Sequence, residues 1–139
     1  MTVEGRVVEA AAASATDTRL VLIVEDEDSI REVIRDVLED RGFRVTSARN
    51  GAEALRLLDT VRPDVLVLDL LMPVMHGWDF MESYVDKTDG QAIPIVVVSV
   101  NPALPRSFNR FGVRQVVSKP FDVDVLIDAV EHAIPSVAA

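Results

Sequence analysis

Val65-Leu66-Val67-Leu68-Asp69 decides the fold of this chain: an unbroken apolar run, then at once a carboxylate. A half-buried strand alternates apolar and polar side chains, because successive residues point to opposite faces. An uninterrupted run means that both faces are covered, as in a parallel sheet layered by helices. Leu20-Val21-Leu22-Ile23-Val24 reads the same way and runs into Glu25-Asp26; Ile95-Val96-Val97-Val98 runs into Ser99. Val116-Val117 marks a further strand leading to Lys119-Pro120, and Phe43 to Ala48 a shorter one.

Between these runs the apolar period changes from two to that of a helix. Ile30, Val33, Ile34, Val37 and Leu38 share one face, with Ser29 and Glu32 placed for a capping box and Gly42 for a stop. Asn50, with Glu53 three residues on, can cap a helix packed through Ala54, Leu55 and Leu58, and Pro63 marks its limit. Trp78, Met81 and Val85 suggest a third helix. Asp122 can cap a last one, packed through Leu126, Ala129, Val130 and Ala133 before Pro135. Strands alternating with helices predict an α/β domain, a parallel sheet with helices on both faces. Residues 1–19, rich in Ala, Thr, Ser and Glu, read as a flexible leader; 20–134 as the folded domain; 135–139 as a tail.

Composition narrows the function. The 139 residues suit one domain, and 49% hydrophobic residues suffice for a core. A net charge of −9, from 23 acidic and 14 basic residues, argues against tracking nucleic-acid phosphates or adhering to an anionic membrane. No cysteine is present, which removes disulfides, thiolate metal sites and thiol nucleophiles. No apolar run reaches the length of a membrane span, and the leader lacks a signal-peptide pattern, so a cytoplasmic location is expected.

The polar residues sit where the strands end. In open α/β sheets ligands bind beyond the carboxyl ends of the strands. Glu25, Asp26, Asp69, Ser99 and Lys119 therefore bring three carboxylates, a hydroxyl and an ammonium to one edge. Two unit charges about 4 Å apart repel by roughly 4 kcal/mol at an effective dielectric near 20. Either a carboxyl keeps its proton or a cation neutralises the cluster. Mg²⁺, or Mn²⁺ in its place, takes oxygen ligands and is commonly held by one or two carboxylates plus a phosphoryl oxygen. Such a site suits phosphoryl transfer, in which catalysis is mainly positioning and charge neutralisation, with a carboxylate such as Asp69 as nucleophile.

Taken singly, each of these residues has a plainer reading. Glu25 to Asp28 could be a solvated run favouring a helix N-terminus, Ser99 a strand-end serine, Lys119 a surface lysine. Their joint placement favours the site. His76 and His132 read as surface residues, and Gly42, Gly51 and Gly77 form no phosphate-cradling loop.

From Leu20 to Ile134 the chain resembles the receiver domains of two-component response regulators. The resemblance rests on Leu22-Ile23-Val24-Glu25-Asp26-Glu27, on Asp64 through Pro73 around Asp69, on Met75 with Gly77, on Val98-Ser99 and on Ser118-Lys119-Pro120-Phe121. It implies a flavodoxin-like fold with five parallel strands in the order 2-1-3-4-5. It implies Asp69 as phosphoacceptor, with Ser99 as switch hydroxyl and Lys119 as a phosphoryl contact. The metal ligands would be Asp26, Asp69 and the backbone carbonyl of Leu71, with Glu25 acting through water. The Lys119–Pro120 bond is a candidate cis peptide.

Three features depart from the family pattern. Val116 stands where an aromatic switch residue is common, so no rotating ring can report phosphorylation there. Val100 follows Ser99 where a small residue is usual, and its bulk would narrow the approach to Asp69. The stretch 101–111 contains Pro102 and Pro105, so the fourth helix of the family should be short, shifted or partly unwound.

The resemblance implies a phosphorylation-controlled signalling module rather than an enzyme with turnover. A histidine kinase or histidine phosphotransfer protein would be the donor and a downstream protein the target, and a homodimer is compatible with the sequence. No effector domain is expected after Ile134. Two other functions compete. An aspartate-nucleophile phosphohydrolase wants an acid two residues after the nucleophile, where this chain has Leu71. A receiver-like scaffold that never uses phosphate is motivated by Val116 and opposed by the complete acidic cluster.

Overall fold

The computed structural model describes residues 19–70, 77–87, 93–100 and 112–134. Five strands form one sheet: β1 (Leu20–Val24), β2 (Arg44–Ala48), β3 (Val65–Asp69), β4 (Ile95–Ser99) and β5 (Val113–Ser118). Among the described residues four helices lie between or after them: α1 (Asp28–Asp40), α2 (Gly51–Leu57), α3 (Gly77–Lys87) and α4 (Val123–Ala133). Every strand pair is parallel, and the order is β2-β1-β3-β4-β5, as expected. The expectations for Leu71, Met72, Pro73, Met75, His76, residues 1–18 of the leader, the tail and 101–111 lie outside the described residues, as do the side chains of Trp78 and Val85.

The unbroken apolar runs divide their side chains between two cores, one on each face. Val21, Ile23, Val65, Val67, Val96 and Val98 pack with Ile34 and Leu38 of α1 and with Leu126 and Val130 of α4. Leu22, Val24, Leu66, Leu68, Ile95 and Val97 pack on the other side with Ala54 of α2 and with Phe80, Met81 and Tyr84 of α3. Each fully buried Leu, Ile or Val contributes roughly 1.5–3 kcal/mol, so β1, β3 and β4 anchor both layers. The outer strands differ. β2 and β5 carry exposed or half-buried residues, and Arg44 and Arg114 mark edges that other strands do not readily join.

Local signals set most element ends. The Asn50 side chain accepts from the Glu53 N–H at 2.8 Å, and Glu53 Oε1 accepts from the Arg49 N–H at 2.7 Å. Asp122 Oδ1 accepts from the Asp124 N–H at 2.9 Å, and Gly42 takes a positive φ of 91° after α1. The expected Ser29–Glu32 capping box does not form. Helical bonding already begins at Glu27, whose carbonyl accepts from the Arg31 N–H at 2.9 Å. The Ser29 hydroxyl instead donates to Glu27 Oε2. Phe43 precedes β2 and is buried among the α1 and α4 side chains rather than starting the strand. Among the described residues no helix is long and apolar enough to cross a membrane.

Candidate functional site

The sheet register aligns the strand ends. Val24 pairs with Leu68, Asp69 with Val98 and Ser99 with Ser118, so Glu25, Asp69, Ser99 and Lys119 emerge side by side at the carboxyl edge. Glu25, Asp69 and Ser99 are only 2%, 4% and 3% exposed, while Asp26 is open to solvent. One carboxylate oxygen from each of Glu25, Asp26 and Asp69 lies within 4.8 Å of the others. The Lys119 N–H donates to the Ser99 carbonyl at 2.9 Å, which fixes the lysine backbone beside β4. The bond between Lys119 and Pro120 is cis.

Lys119 stands between two buried carboxylates. Its ammonium donates a hydrogen bond to Asp69 Oδ2 at 3.3 Å. It also lies 2.9 Å from Glu25 Oε1, a closer ionic contact. Burial pushes the Glu25 carboxyl up from 4.5 to about 7; Lys119 and the Glu27 N–H oppose that rise and the Asp69 charge adds to it. Burial by itself would pull the Lys119 ammonium down, but Glu25 and then Asp69 more than offset it and its pKa is raised. Both groups therefore hold their protons beyond their ordinary range. For Glu25 the chief cause is burial, and for Lys119 it is the pair of anions beside it.

This donor set fits a hard divalent cation. Among the described residues it offers carboxylate oxygens, from two buried side chains and one facing solvent, and no nitrogen or sulfur ligand. Glu25, Asp26, Asp69, Ser99 and Lys119, expected together, lie at one edge of the sheet. Val116 is 39% exposed on the outer strand, and Val100 stands 60% exposed just past Ser99.

Some neighbours of the site were not legible in the sequence. The Ala48 carbonyl accepts from the Glu25 N–H at 3.1 Å, the Arg31 guanidinium donates to the Glu25 carbonyl at 3.0 Å, and the Glu27 N–H donates to Glu25 Oε2 at 3.1 Å. Arg31 is also ion-paired with Asp28. Nothing in the local pattern singles Arg31 out from other helix-surface arginines. Beside the site, an open apolar groove of about 420 Å³ runs between Ile30 and Val33 of α1 and the Pro120-Phe121 connection, with Lys119 on its wall.

The family model described as the response regulator receiver domain matches residues 21–131. The DNA-binding transcriptional regulator NtrC of Escherichia coli is 32% identical over 117 residues, 83% of this chain and 24% of that protein. The chain thus spans about a quarter of that relative's length. Among solved structures, the chemotaxis protein CheY4 of Vibrio cholerae is 28% identical with a TM-score of 0.76, over 84% of this chain and 99% of that one. The response regulator TrrA of Thermotoga maritima, in complex with Mg(2+)-BeF, is 25% identical with a TM-score of 0.73, over 84% of this chain and all of that one.

Proposed function

The chain belongs to the response regulator receiver family, and from that membership we propose that it is switched by phosphoryl transfer to Asp69 beside a bound divalent cation. It is a signalling module of the two-component type, as its receiver relatives are. The observation that carries the proposal is the convergence of three carboxylates within 4.8 Å at the strand ends, with Lys119 bonded to the central one.

In this reading Asp26, Asp69 and the Leu71 backbone carbonyl would hold Mg²⁺, and the Glu25 carboxylate would add negative charge nearby. The cation, when bound, withdraws charge from the phosphoryl oxygens and screens Asp69 from its neighbours. That TrrA is solved in complex with Mg(2+)-BeF supports Mg²⁺ as the cation used here. Asp69 attacks the phosphorus of a phosphohistidine; the P–N bond breaks, a P–O bond forms, and the imidazole leaves with its electron pair and takes up a proton. The Lys119 ammonium neutralises one phosphoryl oxygen, and the Ser99 hydroxyl donates to another. A histidine kinase or phosphotransfer protein supplies the donor.

Output is by protein–protein contact, through repacking of the face that includes β5 and α4 as Ser99 moves toward the phosphoryl group. The location in this reading is cytoplasmic. Self-association through that face is compatible with it. Steady hydrolysis of phosphate esters is not part of this function.

Incubation of the protein with Mg²⁺ and a small acyl phosphate, followed by intact mass measurement, tests the proposal. One phosphoryl adduct, lost when Mg²⁺ is chelated beforehand, is expected. No adduct with any donor would leave a phosphate-independent scaffold as the function.

A further inference from the structure

Glu25 is held more firmly than a flexible metal ligand needs to be. Its N–H is tied to Ala48, its carbonyl to Arg31 and its Oε2 to the Glu27 N–H. Only Oε1 is left to face the site, where it meets the Lys119 ammonium. The ammonium of Lys119 lies 2.9 Å from that oxygen, closer than its 3.3 Å to Asp69 Oδ2. The Lys119 backbone cannot follow a moving partner, because its N–H is bonded to the Ser99 carbonyl. The lysine side chain is therefore an arm with a fixed root and two anionic seats.

These relationships matter once Asp69 acquires other partners. A cation and a phosphoryl group both claim the oxygens of Asp69, and a cation repels the ammonium from that seat. An ammonium without a second anion would swing to solvent, since a mobile lysine gains rotamer freedom there. We infer that Glu25 is the positioning residue for Lys119, with Oε1 as the seat that keeps the ammonium in the site when a cation takes Asp69. The inference rests on the proposed cation-assisted phosphoryl transfer and assigns Glu25 to the lysine rather than to the cation.

The length of the side chain is part of the device. Glutamate reaches Lys119 from a backbone pinned to β2 and α1, and aspartate at the same place keeps the charge but falls one methylene short. Charge toward the cation is then preserved while the seat is lost. A direct or water-bridged cation ligand would respond in the opposite way.

The experiment follows the Lys119 side chain by NMR in ¹⁵N,¹³C-lysine-labelled protein during a Mg²⁺ titration, in the wild type and in Glu25→Asp. The Cε protons give two resolved shifts while the ammonium is held and one averaged shift when it is free. In the wild type, two shifts are expected before and after saturation. In Glu25→Asp, two shifts are expected without Mg²⁺, held by Asp69, and one after saturation. The Mg²⁺ affinity of that variant should stay within about threefold of wild type, because the local charge is unchanged. Phosphoryl uptake at saturating Mg²⁺ should slow about tenfold or more, because a fixed charge at the phosphoryl oxygen is lost. Glu25→Gln should show the same loss of the held signal on loading. Two resolved shifts in loaded Glu25→Asp, or a large drop in its Mg²⁺ affinity with normal uptake at saturation, would overturn the inference and return Glu25 to the cation. A wild-type protein that neither binds Mg²⁺ nor gains a phosphoryl group would instead overturn the proposed function.

Discussion

Lys119 Nζ and Asp69 Oδ2 are 3.3 Å apart across 50 residues of sequence, a contact made at the ends of strands β5 and β3. It joins a half-buried ammonium to the carboxylate whose reactivity the site would control. Because Asp69 is only 4% exposed, its charge is poorly shielded by water and is sensitive to every neighbour.

Asp69→Asn should abolish the phosphoryl adduct, since an amide is not a nucleophile toward phosphorus. The fold should survive, because the amide keeps the shape and relieves repulsion with Glu25. Mg²⁺ affinity should fall by about tenfold or more with the loss of a charged ligand. Intact mass after treatment with acyl phosphate, alongside circular dichroism, checks this. An adduct on the variant would place the acceptor elsewhere.

Lys119→Gln should slow phosphoryl uptake by about 10²-fold, the usual effect of removing one donor aimed at developing charge. The metal-free variant should also lose about 1–3 kcal/mol of stability, because two buried carboxylates lose their shared partner. Single-turnover phosphorylation and urea unfolding measure the two effects separately. An uptake rate equal to wild type would remove Lys119 from the chemistry.

The stability of the metal-free protein should depend on pH through Glu25. Its carboxyl is raised from 4.5 to about 7, so the folded state binds a proton more readily than the unfolded chain. Stability from this group is present in full below about 4.5 and is lost as pH rises through about 7. Urea midpoints should therefore decline over that window, and Glu25→Gln should flatten the decline. Mg²⁺ should oppose it, since cation binding favours the ionised carboxyl. Identical slopes in wild type and variant would remove Glu25 as the source.

Tyr84→Phe should cost about 1–3 kcal/mol, although the phenol lies far from the acidic cluster in the chain. The buried Tyr84 hydroxyl donates to the Ile93 carbonyl at 3.1 Å and accepts from the Ile93 N–H. Phenylalanine preserves the packing against Phe80 but leaves both backbone groups unpaired. Thermal unfolding should show the loss with phosphoryl uptake unaffected. An unchanged midpoint would mean that water replaces the hydroxyl at no cost.

Much of this molecule could be read from local pattern. The run Val65 to Leu68 required cover on both faces, and its side chains do divide between two cores. Asn50 and Asp122 begin their helices as their side chains allow, because a cap depends only on residues two or three positions away. The polar residues at strand ends could be grouped because a parallel sheet puts all its carboxyl ends on one edge. Ser29 misled, since the Glu27 carbonyl accepts from the Arg31 N–H and starts α1 ahead of the expected capping pair.

By itself, then, the sequence determined the alternation of strands and helices, the helix caps at Asn50 and Asp122, and the set of residues delivered to one edge. These follow from side-chain period and from bonding between near neighbours. Tertiary structure alone decided which oxygen of which carboxylate the lysine meets, and that Ala48, Arg31 and Glu27 immobilise Glu25. It also decided that an apolar groove opens between α1 and the connection after β5. Those are distances between segments remote in sequence. They are fixed by how two side-chain layers pack against a twisted sheet, and no local pattern encodes that packing one residue at a time.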